Sequence, residues 1–283
     1  MAPRSNPTAR QVRLGAELRK LREAAGLKAR EVAASLNSTS AQMSQTEAGI
    51  SGVSVERVRR LAAHYGCADE EFVDALAAMA SERTRGWWDD YRGVLPQVNL
   101  DVAEAEHHAA FLHEVVITYV PGLLQTPDYA RAVFRYMRPE LPESELAPRV
   151  EHRMRRRVVI EGNDPTPYET VIHEFALRIR VADRQTSVSQ LRLILEEIEK
   201  GHATVRVIPV DREGFAGADA SMMFMGGPVP KLDTGLLDAP TGTLFIDAEA
   251  HLNRLRTLFR TVRASSLDPS ESRDLIHRLT KEL

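Results

Sequence analysis

The chain contains little cysteine, few aromatic residues and no long apolar run. Cys67 is the one cysteine among 283 residues, which excludes an internal disulfide. No stretch approaches the roughly 18 consecutive apolar residues of a membrane span, and the first ten residues lack the hydrophobic segment of a signal peptide. We therefore expect a cytoplasmic protein without membrane contact. The length and the 43% apolar content suit two globular domains or one large one.

The sequence also lacks the motifs of common enzyme classes. It has no G-x-S-x-G elbow and no glycine-rich phosphate loop. Glu169, His173 and Glu174 are the acid–base candidates, but neighbouring residues on a strand point to opposite faces. The histidines of the segment HHAAFLH (107–113) are five and six residues apart, a spacing that does not align two zinc ligands on a helix. We expect no enzymatic activity, no cofactor and no metal.

Positive charge is concentrated at the N-terminus. Residues 1–66 carry 11 Lys or Arg against 5 Asp or Glu, a balance of +6, and the remaining 217 residues carry 26 against 35, a balance of −9. A basic segment of this kind is where DNA phosphates would be met.

Residues 26–49 predict two short helices joined by a tight turn. An apolar stripe at helical spacing runs through residues 27–36. Asn37 tolerates the left-handed conformation that ends a helix, and Thr39 is a good N-cap for a second helix over about 40–48.

The second of these helices has a face suited to a DNA groove. A rotation of about 100° per residue places Met43, Thr46 and Glu47 on one side and small or amide-bearing residues on the other. Glutamine can pair with an adenine edge in the major groove. The candidate DNA-binding residues are Lys28, Arg30, Thr39, Ser40, Ala41, Gln42, Ser44 and Gln45. The alternative is an ordinary solvated helix in a small bundle.

The segment GLKAREVAASLNSTSAQMSQTEAG resembles the helix-turn-helix of the XRE (Cro and phage-repressor-like) family, over about residues 14–76. The resemblance rests on the Gly-Leu entry, Glu-Val-Ala on the first helix and Ser-x-x-Glu-x-Gly at the end of the second. It implies that Glu47 turns inward to form a structural ion pair with Arg22. The family often has Gln where this chain has Ala29, so Lys28 and Arg30 would supply the backbone contacts of that helix.

A different composition begins at residue 81. Both tryptophans, Trp87 and Trp88, fall in a predicted linker helix over 81–100. Adjacent helical residues point about 100° apart, so the two rings cannot fill one pocket. They are core anchors or, alternatively, an exposed aromatic binding site.

The segment VPGLLQTPDYA (120–130) predicts a Pro-Gly turn followed by a helix with a first-turn proline. PGLLQTPDYARA, followed in order by IHEFALR (172–178), VRVIP (205–209) and LDPSES (267–272), resembles the second domain of actinobacterial Scr-type, antitoxin-like regulators. The resemblance implies a DNA-binding regulator, often encoded beside a small partner protein, whose second domain senses a signal. The ligand or partner candidates are Trp87, Trp88, Leu124, Gln125 and Tyr129.

Strand-like segments at 168–174, 203–210, 220–225 and 243–246 surround a helix at 187–200. They predict a small mixed sheet with helices on one face. The fold class is therefore a mainly α N-terminal helix-turn-helix bundle (1–80) plus, after the linker, an α+β C-terminal domain (101–283). Five arginines in the helical segment 149–157 face solvent and acidic groups or make a second DNA contact.

Together these patterns predict a transcriptional regulator that binds a double-stranded DNA operator as a homodimer. Two subunits would hold their reading helices roughly 34 Å apart, one turn of DNA. The C-terminal domain would dimerise and bind a small-molecule effector or a small protein partner. The alternative is an antitoxin-like protein whose primary role is to sequester a small partner protein.

Overall fold

The computed structural model describes residues 6–82, 85–217, 221–239 and 242–283. The chain divides into two compact units. The first comprises Met1–Asp89, Gln97–Ala105 and Pro228–Lys231, and the second comprises Asp90–Pro96, Glu106–Gly227 and Leu232–Leu283. Residues 83–84 of the predicted linker and the first residue of the predicted strand 220–225 lie outside the described part of the chain.

The N-terminal part of the first unit is helical, as predicted. Its helices are α1 (Ala9–Ala24), α2 (Ala29–Ser35), α3 (Ser40–Glu47), α4 (Val55–His64) and α5 (Glu70–Ser81). Local sequence explains their starts, because a capping side chain accepts a hydrogen bond from the backbone N–H three residues on. The caps are Thr8, Thr39, Ser54 and Asp69.

Helix α3 lies against α1 at very short range. A Cβ at Gly15 would lie 2.6 Å from the carbonyl oxygens of both Thr46 and Glu47. Gly49 has φ +73°, and a Cβ there would lie 2.7 Å from the carbonyl oxygen of Gln11. Only glycine allows both approaches, so these two positions fix the end of α3 on α1.

The predicted linker helix over 81–100 is wrong as a continuous element. Trp87–Tyr91 form a short 3-10 helix, and a separate helix, α6, begins only at Gln97 and ends at His107. Gly93 has φ +79°, and Pro96 disfavours helical geometry at the residue before it. These two residues separate the elements.

The second unit is a mixed sheet with helices, as the α+β prediction states. Its strands are β1 (Phe111–Val116), β2 (Tyr168–His173), β3 (Thr204–Ile208), β4 (Met222–Gly226), β5 (Thr234–Ala239) and β6 (Gly242–Ile246). Its further helices are α7 (Pro127–Met137), α8 (Glu143–Arg155), α9 (Val158–Glu161), α10 (Glu174–Arg178), α11 (Arg184–Glu199), α12 (Glu249–Ser265) and α13 (Pro269–Glu282). Gly122–Leu124 form a 3-10 turn before α7.

Within the described residues the sheet order is β3-β2-β1-β4-β5-β6. The pairs β1–β2 and β2–β3 are parallel, and the pairs from β1–β4 to β5–β6 are antiparallel. Strand β5, between β4 and β6, was not predicted from the sequence.

Both faces of this sheet are covered, so the predicted one-sided arrangement of helices is wrong. On one face Val115 packs with Leu252 and Phe259 of α12. Leu112 and Ile172 point to the opposite face and are completely buried as well. In the part of the chain that is described, no helix is long and apolar enough to cross a bilayer.

Candidate functional site

Helix α3 presents the face that its periodicity predicted. Met43 and Thr46 are buried under the helix. The side chains of Ser40, Ala41, Gln42 and Ser44 are exposed, as is the cap residue Thr39. The exposed surface is made of small side chains and one long amide, which permits close approach to a DNA groove.

Gln42 has two roles at the start of α3. Its Oε1 accepts hydrogen bonds from the backbone N–H of Thr39 (3.0 Å) and from Ser38 Oγ (3.0 Å), while its own N–H donates to Thr39 Oγ1 (3.1 Å). This reciprocal capping box holds the side chain in one orientation. The amide nitrogen has no acceptor among the described residues, so it remains available to donate to a base.

Gln45 is placed less favourably for reading DNA. It is half-buried, and its Oε1 accepts a hydrogen bond from Ser51 Oγ at 3.0 Å. Of the two predicted base-reading glutamines, the geometry ranks Gln42 first.

Two cations at the start of α2 have no acidic partner among the described residues. Lys28 and Arg30 are exposed at the start of α2, and no carboxylate of the described residues lies within ion-pair distance of either. The neighbouring arginines of this unit are mostly neutralised, through the pairs Arg13–Glu17, Arg19–Glu23, Arg22–Glu47, Arg59–Asp74 and Arg60–Glu56. Lys28 and Arg30 therefore keep a positive charge that is not neutralised by the described residues, as a phosphate contact requires.

Arg57 is a candidate that the sequence reasoning missed. It lies in the first turn of α4, and its Nη2 donates to Ser38 Oγ at 3.1 Å. Ser38 in turn donates to Gln42, so Arg57 lies next to the N-terminus of α3. A cation beside a helix N-terminus is well placed for a phosphate. Its place in the first turn of α4 was visible in the sequence, but its contact with a residue 19 positions earlier was not.

Arg22 and Glu47 form the ion pair that the resemblance implied. Arg22 Nε lies 2.6 Å from Glu47 Oε1, and Arg22 also donates to the carbonyl oxygen of Leu27 at 2.8 Å. Both side chains are about nine-tenths buried. Burial and the charge of Glu47 raise the pKa of the neighbouring Tyr65 to about 12. Glu47 therefore faces the interior and not the exposed side of α3.

The two tryptophans differ in burial. Trp88 is 5% exposed, whereas Trp87 is half-buried, and their rings meet edge to face with centroids 6.0 Å apart. Trp88 is thus a core residue, and neither ring forms a fully exposed aromatic site.

Leu124, Gln125 and Tyr129 lie in the core of the second unit and not on a surface that a protein partner could reach. Gln125 Nε2 donates to the carbonyl oxygen of Val120 at 2.7 Å, and its Oε1 accepts from Arg153 Nη1 at 2.9 Å. The predicted contact residues therefore hold the 120–130 segment together, and Gln125 binds the half-buried Arg153.

The arginines of segment 149–157 mostly face acidic groups, in agreement with the first of the two interpretations. Four of them pair with carboxylates: Arg149 with Glu145, Arg155 with Asp90, Arg156 with Glu106 and Arg157 with Glu161. Arg153, the fifth, is the exception.

The acid–base candidates have structural partners. Glu169 pairs with Arg206 (2.8 Å) and Arg263 (2.6 Å). His173 Nδ1 accepts the N–H of Phe175 as the cap of α10, and Glu174 pairs with Arg178. Each of the three side chains therefore has a structural partner in the second unit.

One group within the described ranges has metal-ligand geometry: ligand atoms of Glu161, Glu197 and His202 lie within 4.8 Å of one another. Glu197 already accepts hydrogen bonds from Lys200 (2.9 Å) and pairs with His202 Nδ1 (2.8 Å). A cation there would have to displace the lysine ammonium.

Two families match the chain. A helix-turn-helix domain matches residues 13–76, a range that includes α2, α3, Lys28, Arg30 and Arg57. A domain of unknown function (DUF5753) matches residues 100–278. No curated protein and no solved structure gives a significant match. The helix-turn-helix match over residues 13–76 indicates a DNA-binding regulator, and the second match covers well over half of the chain. The protein therefore belongs to the DUF5753 family and carries an N-terminal helix-turn-helix domain.

Proposed function

We propose that this protein is a sequence-specific transcriptional regulator of the XRE type, which reads operator DNA with the exposed face of α3. Gln42 is the principal base-contacting residue, and Lys28, Arg30 and Arg57 bind phosphates. The observation that carries the proposal is the contact of Arg57 with Ser38, which sets an arginine without a carboxylate partner beside the N-terminus of α3 and its exposed, small-residue face.

The C-terminal domain, in this proposal, dimerises and binds an effector. A single α3 with one long polar side chain on its exposed face offers few base contacts, so one copy binds weakly. Two copies held one DNA turn apart read a near-palindromic site, because the second copy binds at a high effective concentration once the first is bound. An effector that favours one arrangement of the pair then shifts DNA affinity.

The resemblance of the 120–130 segment to Scr-type regulators supports a second candidate, in which the C-terminal domain sequesters a small protein partner as an antitoxin does. Both functions can reside in one chain. We propose no enzymatic activity and no cofactor, because Glu169, His173 and Glu174 are each engaged in structural contacts.

Selection of randomised duplex DNA by the full-length protein tests the principal function. We expect enrichment of an inverted repeat whose half-site centres lie about 10–10.5 base pairs apart, and a footprint over both half-sites. Random sequences after repeated selection would overturn the proposal. Enrichment of a single half-site would support the DNA-binding function but would contradict binding as a dimer.

A further inference from the structure

The side chain of Gln42 is held by hydrogen bonds that involve only its carbonyl oxygen. The backbone N–H of Thr39 donates to Gln42 Oε1 at 3.0 Å, and Ser38 Oγ donates to the same oxygen at 3.0 Å. An amide oxygen has two lone pairs, so these two donors fill its accepting capacity. The side chain of Gln42 therefore has no lone pair left for a base.

The chemistry of the two donors fixes which end of the amide faces them. A backbone N–H donates and cannot accept, so the atom opposite the N–H of Thr39 is the oxygen of Gln42 and not its nitrogen. Arg57 Nη2 donates to Ser38 Oγ at 3.1 Å, and a guanidinium has no acceptor, so the Ser38 hydroxyl hydrogen is left to donate to Gln42. Hydrogen bonds therefore run in one direction, from Arg57 through Ser38 to Gln42.

The amide nitrogen is the side-chain group that Gln42 can still offer to DNA. The residue is exposed on α3, and its Nε2 has no acceptor in the part of the chain that the structure describes. Both hydrogens of Nε2 are therefore available. Gln42 presents donors to its surroundings and no acceptor.

Gln45, the other glutamine of α3, is not restricted in this way. Its Oε1 accepts one hydrogen bond, from Ser51 Oγ at 3.0 Å, and keeps a second lone pair. Gln45 is also half-buried, whereas Gln42 is exposed. Of the two predicted base-reading glutamines, Gln42 is the one limited to donating.

The purine edges of the major groove differ in how they receive such donors. Guanine presents two adjacent acceptors, N7 and O6, whereas adenine presents the acceptor N7 beside the N6 amine, which is a donor. A glutamine that binds adenine in a bidentate way accepts from N6 and donates to N7. Gln42 lacks the free oxygen for this arrangement, so its amide hydrogens would face the N6 hydrogens of adenine.

We propose that Gln42 makes the operator half-site specific for guanine and against adenine, because Thr39 and Ser38 already occupy its carbonyl oxygen. Thymine O4 is a single acceptor, so guanine receives more of the available hydrogen bonds. The inference rests on the proposed function, since it names the base that the reading helix recognises. It replaces the adenine pairing expected of an unconstrained glutamine.

Selection of randomised duplex DNA by the full-length wild type and by full-length Gln42→Ala identifies the base that Gln42 contacts. The position whose base preference disappears in the variant is the one that this side chain reads. We expect guanine there in the wild type, favoured over adenine about fivefold or more in competition binding. Adenine at that position, or identical motifs from the two proteins, would overturn the proposal.

Gln42→Glu reverses the polarity of the outer group. Glutamate keeps an acceptor for the Thr39 N–H, but its second oxygen also accepts, and cytosine N4 is the donor that a carboxylate reads in the major groove. The preference at the same position should therefore change from guanine to cytosine. This change also identifies the position if Gln42→Ala fails to fold. Retained guanine preference in Gln42→Glu would contradict the proposal.

Ser38→Ala tests the cause of the specificity. It removes one of the two donors to Gln42 Oε1 and frees a lone pair for adenine N6. The preference for guanine over adenine should fall about threefold or more, independently of any change in total affinity from the lost contact with Arg57.

Ser35→Ala is the matched control for Ser38→Ala. Ser35 Oγ donates to the carbonyl oxygen of Val32 within α2, so its removal should leave the base preference unchanged. An unchanged preference in Ser38→Ala, or equal effects of the two substitutions, would show that the occupied oxygen of Gln42 does not set the specificity.

The same selection separates this inference from the proposed function. Enrichment of a motif with another base at the Gln42 position would retain the regulator and overturn the guanine assignment. The absence of any enriched sequence would overturn both, since the inference needs an operator.

Discussion

The guanidinium of Arg22 and the carboxylate of Glu47 meet at two points, with Nε 2.6 Å from Oε1 and Nη2 2.9 Å from Oε2. The pair joins α1 to the end of α3 inside the N-terminal unit. The reading helix is therefore positioned by a buried electrostatic contact as well as by the close glycine packing at Gly15 and Gly49.

Replacement of Arg22 by Ala should strongly destabilise the N-terminal unit. It would leave Glu47 buried without a partner, a change that costs about 3–5 kcal/mol in comparable pairs. Arg19→Ala is the matched control on the same helix, because the Arg19–Glu23 pair is more than half exposed and should contribute little to stability. Urea unfolding followed by tryptophan fluorescence measures both. Similar losses in the two variants would contradict a structural role for the buried pair.

Gln42→Glu should weaken operator binding without unfolding α3. Glutamate preserves the acceptor for the Thr39 N–H, so the capping box is retained, but it removes the amide donor and adds a negative charge. Loss of one good base contact corresponds to about 1–3 kcal/mol, or roughly five- to 150-fold in affinity. Fluorescence anisotropy with the selected operator measures the affinity, and thermal melting measures the fold.

Gln11→Glu provides the control for this substitution. Gln11 holds the same capping-box position in α1, where its Oε1 accepts the N–H of Thr8 at 3.1 Å. The charge change and the helix chemistry are identical, but the residue is not on α3. If Gln11→Glu reduced affinity as much as Gln42→Glu, the loss would be general electrostatic repulsion and not base reading.

Arg57→Gln should weaken binding to specific and non-specific DNA alike. A phosphate contact carries no sequence information, and its removal should lower the slope of log K against log salt by about one. Arg59→Gln is the control, since Arg59 already pairs with Asp74 at 2.7 Å. Titrations at several KCl concentrations give both slopes. An unchanged slope in Arg57→Gln would exclude the phosphate contact.

Most helices could be predicted from the sequence because the signals that start them lie within a few residues. Thr39 and Thr126 accept hydrogen bonds from residues three positions on, and such caps are readable in a short window of sequence. Pairings over long sequence distances were not predictable in this way. Strand β5 contains glycine and is flanked by β4 and β6, so its state depends on neighbours that the sequence does not identify.

The site residues likewise divide into those that local signals predict and those that depend on long-range contacts. The exposed face of α3 followed from helical periodicity, and the Arg22–Glu47 pair followed from the family resemblance. The link between Gln125 and Arg153 spans 28 residues, and the contact between Arg57 and Ser38 spans 19. Neither has a periodic signal. The arginine-rich segment was visible as a run of charge, but only the positions of the carboxylates distinguish Arg153 from its neighbours.

Glu114 should make the stability of the C-terminal unit fall as pH rises from about 4.5 to 7. Burial raises its pKa from 4.5 to about 7, so the folded state holds the proton more tightly than the unfolded state does. Stabilisation is complete below pH 4.5, where both states are protonated, and is lost as pH rises through the folded-state pKa. The full difference is at most about 3 kcal/mol, since part of the side chain is open to solvent.

Glu114→Gln removes this titration while preserving the acceptor for the Tyr168 hydroxyl. Hydrogen exchange by mass spectrometry, on peptides covering β1 and β2 in the full-length chain, reports the opening free energy of this unit alone. Between pH 5 and 8 the opening free energy should fall more in the wild type than in the variant. The stability of the variant relative to the wild type should therefore increase with pH. Parallel pH profiles would mean that the pKa of Glu114 is not raised in the folded state, and that its surroundings do not disfavour the charged carboxylate.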